Sequence, residues 1–419
     1  MALSCRVCGR KNVEVVLDLG DQPHCNSLLS AEALAEAEPV FPLRLCFCHD
    51  CTTVQIDHTV PKETMFSDYP YVSGTTRTLS DHFRDSAERL GRRLSLGPGD
   101  LVVDIGSNDG TWLGHFKRLG LRTVGIEPAR NVADLARASG IETLGLFFDA
   151  GAADEVLAQF GPPRLVTAAG VFFHLEELHS ATEGVAALCR SGAVFCVQAI
   201  YLAEMLRQNA FDNIYHEHLT YWTLTSFERL LGQHGLEVFA ADVIPIHGGS
   251  LELLMAVTGS RPVEESVAAL RRREQAEGLG NAATYRAFGR RVVGIQNRLL
   301  RMLTGYADSG RLVHAFGAPA KGATLLNTLG ITADLVPCAV EMNPLKVGKY
   351  IPGARIPIVR EGSVMEPDAY LILPWNFLLE FLVKKRDFIE GGGDFIVPIP
   401  EPFVIDKSNY ARFVAACRG

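Results

Sequence analysis

The sequence has no uninterrupted apolar run long enough to cross a bilayer, which excludes a membrane-spanning helix. It also has no excess of basic residues. The 419-residue chain carries a net charge of −8 and a pI near 5.9, so no nucleic-acid or membrane partner is expected. An anionic ligand must then be held by local Lys, Arg or helix ends. The opening residues, Met1-Ala2-Leu3-Ser4-Cys5-Arg6, lack the basic and apolar segments of a secretory signal, so the expected location is cytoplasmic. In that compartment ten cysteines are read as metal ligands or buried thiols rather than disulfides. Apolar residues make up 47%, enough for a core in each of the two or three domains this length predicts.

Cys5-Arg6-Val7-Cys8 and Cys48-His49-Asp50-Cys51 form two C-x2-C pairs. Each pair can set two thiolates on one ion from a single knuckle, and the two knuckles together complete a tetrahedral Zn2+ site. Four ligands leave no open position, so the expected metal is structural. The long stretch between the pairs predicts a small β-rich subdomain. Cys25 and Cys46 are spare and are read as small apolar fillers, although Cys46 competes with Cys48 on spacing.

The stretch Leu101-Val102-Val103-Asp104-Ile105-Gly106-Ser107-Asn108-Asp109-Gly110-Thr111 reads as a strand, a tight turn and a helix start. Gly106 and Gly110 stand where the chain needs positive φ or close backbone approach. The turn is not the dinucleotide fingerprint, because Asn108 occupies the place of its second glycine. The next strand ends at Glu127, where a carboxylate can take both hydroxyls of a ribose. A turn without phosphate-gripping glycines, followed by a ribose acid, suits S-adenosylmethionine (SAM). The candidate cofactor contacts are Asp104, Gly106, Asn108, Asp109, Gly110 and Glu127. The alternative is a ligand-free Rossmann-like crossover.

Leu144 to Asp149 reads as a short strand ending in aromatics; Phe147 and Phe148, with the Asp149 carboxylate, either frame an adenine or fill a core. Arg164 to Ala169 is a buried strand, and His174 falls just beyond its end, beside the crevice of an open α/β sheet. The densest polar cluster is Phe211 to Tyr221. His216-Glu217-His218 is too tight for H-E-x-x-H, so no catalytic metal is expected there. Tyr215, Glu217 and His218 instead offer a phenol, a carboxylate and an imidazole; an imidazole held by a carboxylate is a good general base. The alternative is a capping cluster before the helix predicted at Ser226 to His234. Upstream, Tyr69-Pro70-Tyr71-Val72-Ser73-Gly74 reads as a loop whose tyrosines either donate hydrogen bonds at the mouth of a site or pack a domain junction. Val238 to Ile244 and Ser250 to Val257 read as a closing antiparallel hairpin, with His247 at its tip.

Arg261 to Ala307 has helical spacing and reads as two bridging helices whose arginines (Arg271, Arg272, Arg273, Arg290, Arg291) form a solvated face. Leu312 to Leu326 is a second strand–turn–helix. It is not a P-loop, yet a helix start plus Lys321 suits an anion, with a structural turn as the alternative. Strands are expected at Leu335 to Val340, Ala369 to Leu373 and, last, Phe395 to Ile399. Ser73, His247, Lys321, Lys349 and Asn376 are the candidate substrate contacts.

With these residues in view, the chain resembles the NDP-4-keto-6-deoxyhexose C-methyltransferases over nearly its whole length. The resemblance rests on the four knuckle cysteines, Tyr69-Pro-Tyr71-x-Ser-Gly, Asp104-Ile-Gly106-x-Asn108-Asp109-Gly110, Glu127-Pro, Phe211-Asp212 through Tyr215-x-Glu217-His218, His247-Gly-Gly, Gly317-Ala-Pro-Ala-Lys321-Gly and Pro374-Trp-Asn376. It departs at Ala169 to Phe173, where relatives carry a small polar run, at Thr52-Thr53 and at His216. The resemblance implies an α/β chain of four parts: a zinc-binding domain (1–66), a SAM domain (67–260), a helical bridge (261–307) and a Rossmann-like substrate-binding domain (308–419). It further implies a nucleotide-sugar substrate, dTDP-linked, held between domains of a monomer or weak homo-oligomer. Its chemistry places a base among Glu217 and His218, with help from Tyr215, His174, Tyr69 and Tyr71. Other readings are methyl transfer to a non-sugar, oxygen or nitrogen acceptor, or a non-catalytic binding protein of the same fold.

Overall fold

The computed structural model describes residues 3–66, 69, 72–75, 77–246 and 248–416. Tyr71 and His247 lie outside the described residues. No helix among the described residues is long and apolar enough to cross a membrane.

The N-terminal part is an antiparallel meander of β1 (Val13–Pro23), β2 (Val40–Cys48) and β3 (Val54–Ile56). Cys48 closes β2, which places the second knuckle directly at a strand end.

The central part carries β4 (Leu101–Ile105), β5 (Arg122–Ile126), β6 (Glu142–Leu144), β7 (Leu165–Ala169), β8 (Val194–Ile200), β9 (Thr220–Tyr221), β10 (Leu236–Ile244) and β11 (Ser250–Val257). Seven of these form one sheet in the order β10-β11-β8-β7-β4-β5-β6, while β9 joins β3 in the N-terminal sheet. The short cluster strand therefore stitches the two parts together. In the large sheet β11 runs antiparallel to its neighbours and the other strands are parallel. The strand order reverses between β4 and β7, and a crevice opens there beyond the carboxyl ends of the strands. All five residues of β4 are buried, as a strand covered on both faces requires. The helix Arg77–Arg93 covers one face with Leu79, Phe83, Ala87 and Leu90, a helical spacing.

The C-terminal part is a second sheet: β12 (Val313–Phe316), β13 (Ala339–Glu341), β14 (Ile358–Arg360), β15 (Ala369–Ile372), β16 (Asp394–Val397) and β17 (Phe403–Ile405), ordered β14-β13-β12-β15-β16-β17. Only β17 is antiparallel. Its own switch point lies between β12 and β15.

The two bridging helices are Glu265–Ala276 and Ala282–Asp308. The second crosses β1 so closely that a Cβ on Gly289 would stand 3.0 Å from the Val16 carbonyl oxygen. The expected solvated arginine face is only partly so. Arg271 pairs with Glu228, Arg273 with Glu204, and Arg291 donates to Asn209 Oδ1 at 2.9 Å, so these three clamp neighbouring elements.

Three strand expectations shift. Leu144 to Asp149 is a strand only to Leu144, because Asp149 turns to cap the helix Ala150–Phe160, accepting the Ala152 N–H at 2.9 Å. Asp149 thus caps that helix through Oδ1. The strand expected at Leu335 begins at Ala339, since Thr332 to Val336 closes a turn through the Leu335 and Val336 amides. The strand from Phe395 ends at Val397 and β17 follows it, so it is not the last.

Candidate active site

A cavity of about 890 Å³ lies where the carboxyl ends of the two parallel sheets face each other. One end is built by the turn after β4. Gly106 has φ +66°, and a Cβ there would stand 2.5 Å from Val171 Cγ2. Gly110, at φ +75°, starts the helix Thr111–Arg118 from a left-handed N-cap. Glu127, 7% exposed, accepts the Asn108 N–H on Oε2 and the Ala129 N–H on Oε1, both at 2.9 Å. Burial pushes its carboxyl up and these two amides pull it back, leaving a net rise. Each oxygen keeps a second acceptor direction for ribose hydroxyls. Gly106, Asn108, Glu127, Phe147 and Phe148 all line the cavity. A carboxylate for a ribose beside two aromatics fits an adenosyl group.

Asp104, Asp109 and Gly110 are not in the cavity wall. Asp104 accepts the Thr167 hydroxyl at 2.7 Å beneath the turn, and burial raises its pKa to about 7. Asp109 accepts the Thr111 hydroxyl at 2.7 Å and the Gly74 N–H at 2.9 Å. These residues shape the turn and pin the preceding loop. Ser73 does line the cavity, and its N–H donates to Asn108 Oδ1 at 2.9 Å.

The middle of the cavity holds His174, Tyr215, Glu217 and His218. His218 Nδ1 donates to the Asn213 carbonyl at 2.8 Å, and His174 Nδ1 donates to the Glu217 carbonyl at 2.6 Å. Carbonyl partners require a proton on each Nδ1, so each ring in its neutral form carries its lone pair on Nε2. The rings are 5.1 Å apart, and Tyr215 lies against His218 with centroids 3.9 Å apart. Burial pushes His174 down and Tyr215 well up, which keeps the imidazole neutral and the phenol protonated.

The Glu217 carboxylate does not hold His218 through Nδ1, as the sequence suggested. Its Oε1 accepts Asn26 Nδ2 at 2.5 Å, and its Oε2 accepts the Tyr69 hydroxyl at 3.2 Å. His24 Nε2 stands 3.1 Å from Oε1, an ion-pair distance without the alignment of a hydrogen bond. Burial works to raise the Glu217 pKa, but His24 and Asn26 outweigh it and hold the carboxyl below its usual range. His216 faces away: its Nε2 meets the Pro42 carbonyl, Phe41 packs on its ring, and burial lowers it to about 4.

The far end belongs to the C-terminal sheet. Lys321 Nζ donates to Asn376 Oδ1 at 2.6 Å, stands 4.2 Å from the Trp375 ring centroid and lies 3.8 Å from Asp212 Oδ2. Trp375 Nε1 donates to that same carboxylate oxygen at 2.7 Å. Glu341 mirrors Glu127: it accepts the Ala318 N–H on Oε2 and the Met342 and Asn343 N–H groups on Oε1. Lys349 is exposed and outside the wall, whereas Lys346, three residues earlier, lines it and donates to the Ala318 carbonyl at 2.8 Å. Burial pushes both Lys321 and Lys346 down. Sequence reasoning thus missed His24, Asn26, Lys346 and Glu341. Only Glu341 had a signal, since an acid ending the second strand is the rule that found Glu127.

The four knuckle cysteines gather as expected. Sγ–Sγ distances are 3.4 Å for Cys5–Cys51 and 3.6 Å for Cys8–Cys48, close to the edge of about 3.8 Å that Zn–S bonds near 2.3 Å require. One ligand atom of each lies within 4.8 Å of the others, and Cys46 stands apart. The contact with Cys51 pushes the Cys5 thiol up, and burial pushes Cys48 up to about 11. Such crowded thiols ionise together only around a cation.

A Rossmann-like sheet with a ribose acid and no phosphate-gripping glycines, attached to a structural four-thiolate zinc site, defines a SAM-dependent methyltransferase. Residues 5–66 match a family described as a zinc binding domain, 79–241 one described as a methyltransferase domain, and 245–400 one described as a C-methyltransferase C-terminal domain. The chain is 36% identical to the C-methyltransferase NovU of Streptomyces niveus over 97% of both chains. It belongs to this C-methyltransferase family. Among solved structures it is similar to a methyltransferase from Haloferax volcanii in complex with the activator Trm112, at 19% identity and TM-score 0.35, over 44% of this chain and 94% of that one. It is also similar to the SAM-bound magnesium protoporphyrin IX methyltransferase of Synechocystis PCC 6803, at 15% identity and TM-score 0.30, over 42% and 78%. Both likenesses span under half of the chain and are too distant to bear on its substrate.

Proposed function

We propose that the protein methylates C3 of a nucleotide-linked 4-keto-6-deoxysugar, dTDP-linked, through an enolate. The observation that carries this reading is the gathering of two lone-pair-bearing imidazoles and two phenols in one cavity, between the adenosyl turn and the Lys321 end. A methyl acceptor on carbon needs a carbanion-like nucleophile, and a C4 ketone acidifies the neighbouring C–H. His218 Nε2 takes the C3 proton. The Asn213 carbonyl holds the opposite nitrogen and stabilises the charge the ring acquires. Tyr215 is the donor for the developing C4 oxyanion, where a preorganised hydrogen bond is most effective, while the Tyr69 hydroxyl is engaged as donor to Glu217 Oε2. Neutral His174 has no proton on Nε2, so it serves as a second acceptor rather than as the oxyanion donor. SAM, when bound, supplies the electrophilic methyl that the enolate carbon takes. Lys321 and Lys346 offer positive charge to the diphosphate.

The test is exchange in heavy water. With a dTDP-4-keto-6-deoxysugar and S-adenosylhomocysteine in place of SAM, the enzyme is expected to wash deuterium into C3 at a rate that depends on His218. No exchange beside the ketone, with methyl transfer intact on an oxygen or nitrogen acceptor, would assign the cavity to heteroatom methylation instead.

A further inference from the structure

His24, Cys25 and Glu217 form a second group of metal-ligating side chains. They are 5%, 4% and 1% exposed, and one ligand atom of each lies within 4.8 Å of the other two. The chemistry above uses neither His24 nor Cys25. His24 Nδ1 meets Ser27 Oγ at 3.0 Å, which leaves Nε2 as the nitrogen directed at Glu217. That Nε2 is buried and faces the Glu217 carboxylate without an aligned hydrogen bond. A cation held between imidazole, thiolate and carboxylate would satisfy it.

The donor chemistry narrows the cation. A thiolate disfavours Mg2+ and Ca2+, while one nitrogen, one sulfur and one oxygen suit a zinc-like ion with a fourth position open. The charges also balance, since a thiolate and a carboxylate neutralise a divalent ion in a buried place. Lys346 is a cation whose charge reaches Cys25 and Glu217, and burial pushes its pKa down. We propose that His24 Nε2, Cys25 Sγ and a Glu217 carboxylate oxygen form a second divalent-metal site for a zinc-like ion, separate from the four-cysteine site and beside the methyl-transfer cavity. On binding, the Cys25 S–H bond breaks, an Sγ–metal bond forms, and the proton leaves to solvent. The ion competes with Asn26 and Tyr69 for the Glu217 carboxylate.

The test reads binding and not turnover, so it stands or falls apart from the assignment of the base. Full-length protein holding one zinc per chain is titrated with Co2+. A second equivalent per chain is expected, with a thiolate-to-cobalt absorption band and one proton released. Cys25→Ser should abolish the band. His24→Asn, whose amide can keep the Ser27 contact, should weaken the second equivalent by at least about tenfold. Retention of the first zinc in both variants reports that the N-terminal part is folded. A single metal equivalent in the unaltered protein, or a band undiminished in Cys25→Ser, overturns the proposal.

Discussion

The two strand–turn–helix units of the molecule share a backbone and differ in chemistry. In each, a strand ends near a left-handed glycine, Gly106 at φ +66° or Gly317 at φ +76°. In each, the next parallel strand leads to a glutamate that accepts the amides of the turn: Glu127 those of Asn108 and Ala129, Glu341 those of Ala318, Met342 and Asn343. Two positions before the glycine, however, the first unit has Asp104 and the second Ala315. The helix of the second unit brings Lys321 to the cavity, and no cation stands at the corresponding place in the first. One frame therefore offers a carboxylate and open backbone, which suits a ligand without phosphates. The other adds positive charge, which suits an anion.

The largest expected effect comes from the group between the two units. His218→Asn should lower kcat by more than about 100-fold while leaving the SAM Kd within about threefold, measured by single-turnover kinetics and calorimetry. A comparable loss of SAM affinity would place His218 in the first unit and not between them.

The glutamates divide next. Glu127→Gln should weaken SAM by roughly tenfold to 100-fold, the value of a hydrogen bond to a charged group, and leave the acceptor's KM nearly unchanged. Glu341→Gln should do the reverse. If both raise the same constant, the two turns do not serve different ligands.

Asp104 gives the comparison a pH signature. Its folded pKa, about 7, lies above the ordinary carboxyl value. Between those two values the folded state binds more protons than the unfolded one, so stability falls as pH rises through that window. Asp104→Asn, which still accepts the Thr167 hydroxyl, should flatten the decline between about pH 4 and 7 and gain about 2 kcal/mol at neutral pH, as read by urea unfolding. The C-terminal unit, with Ala315 at the matching place, should show no such slope.

The smallest effect separates the glycines. Both glycines have positive φ, but the Cβ that Gly106→Ala adds meets Val171 at 2.5 Å, whereas that of Gly317→Ala meets Pro374 at 3.1 Å. Thermal unfolding should show a loss of about 1–3 kcal/mol at Gly106 and less at Gly317.

Much of the molecule is legible in its amino-acid order. The C-x2-C pairs, the turn at Gly106, Glu127 and the Tyr215-x-Glu217-His218 cluster are local signals, because spacing along the chain alone places two thiolates on a knuckle or an acid at a strand end. The sheets are equally local in origin, being written in apolar runs separated by turns. What stays hidden depends on residues far apart in sequence. Asn26 reaches Glu217 across 191 positions, and no periodicity marks such a partner. The boundary expected at residue 67 is likewise crossed by β9, which pairs with β3.

The amino-acid sequence by itself determined the kinds of chemistry available here: a four-thiolate metal site, an adenosyl turn, and an imidazole–carboxylate–phenol cluster. Only the tertiary structure decided their arrangement. It turned Glu217 away from His218 and toward Asn26 and Tyr69, put Lys346 rather than Lys349 in the wall, and set the tautomers of two histidines through the carbonyls they meet. The physical reason is that a side chain's type is inherited from its codon, whereas its partner, its desolvation and so its protonation arise only when distant segments close on the same cavity.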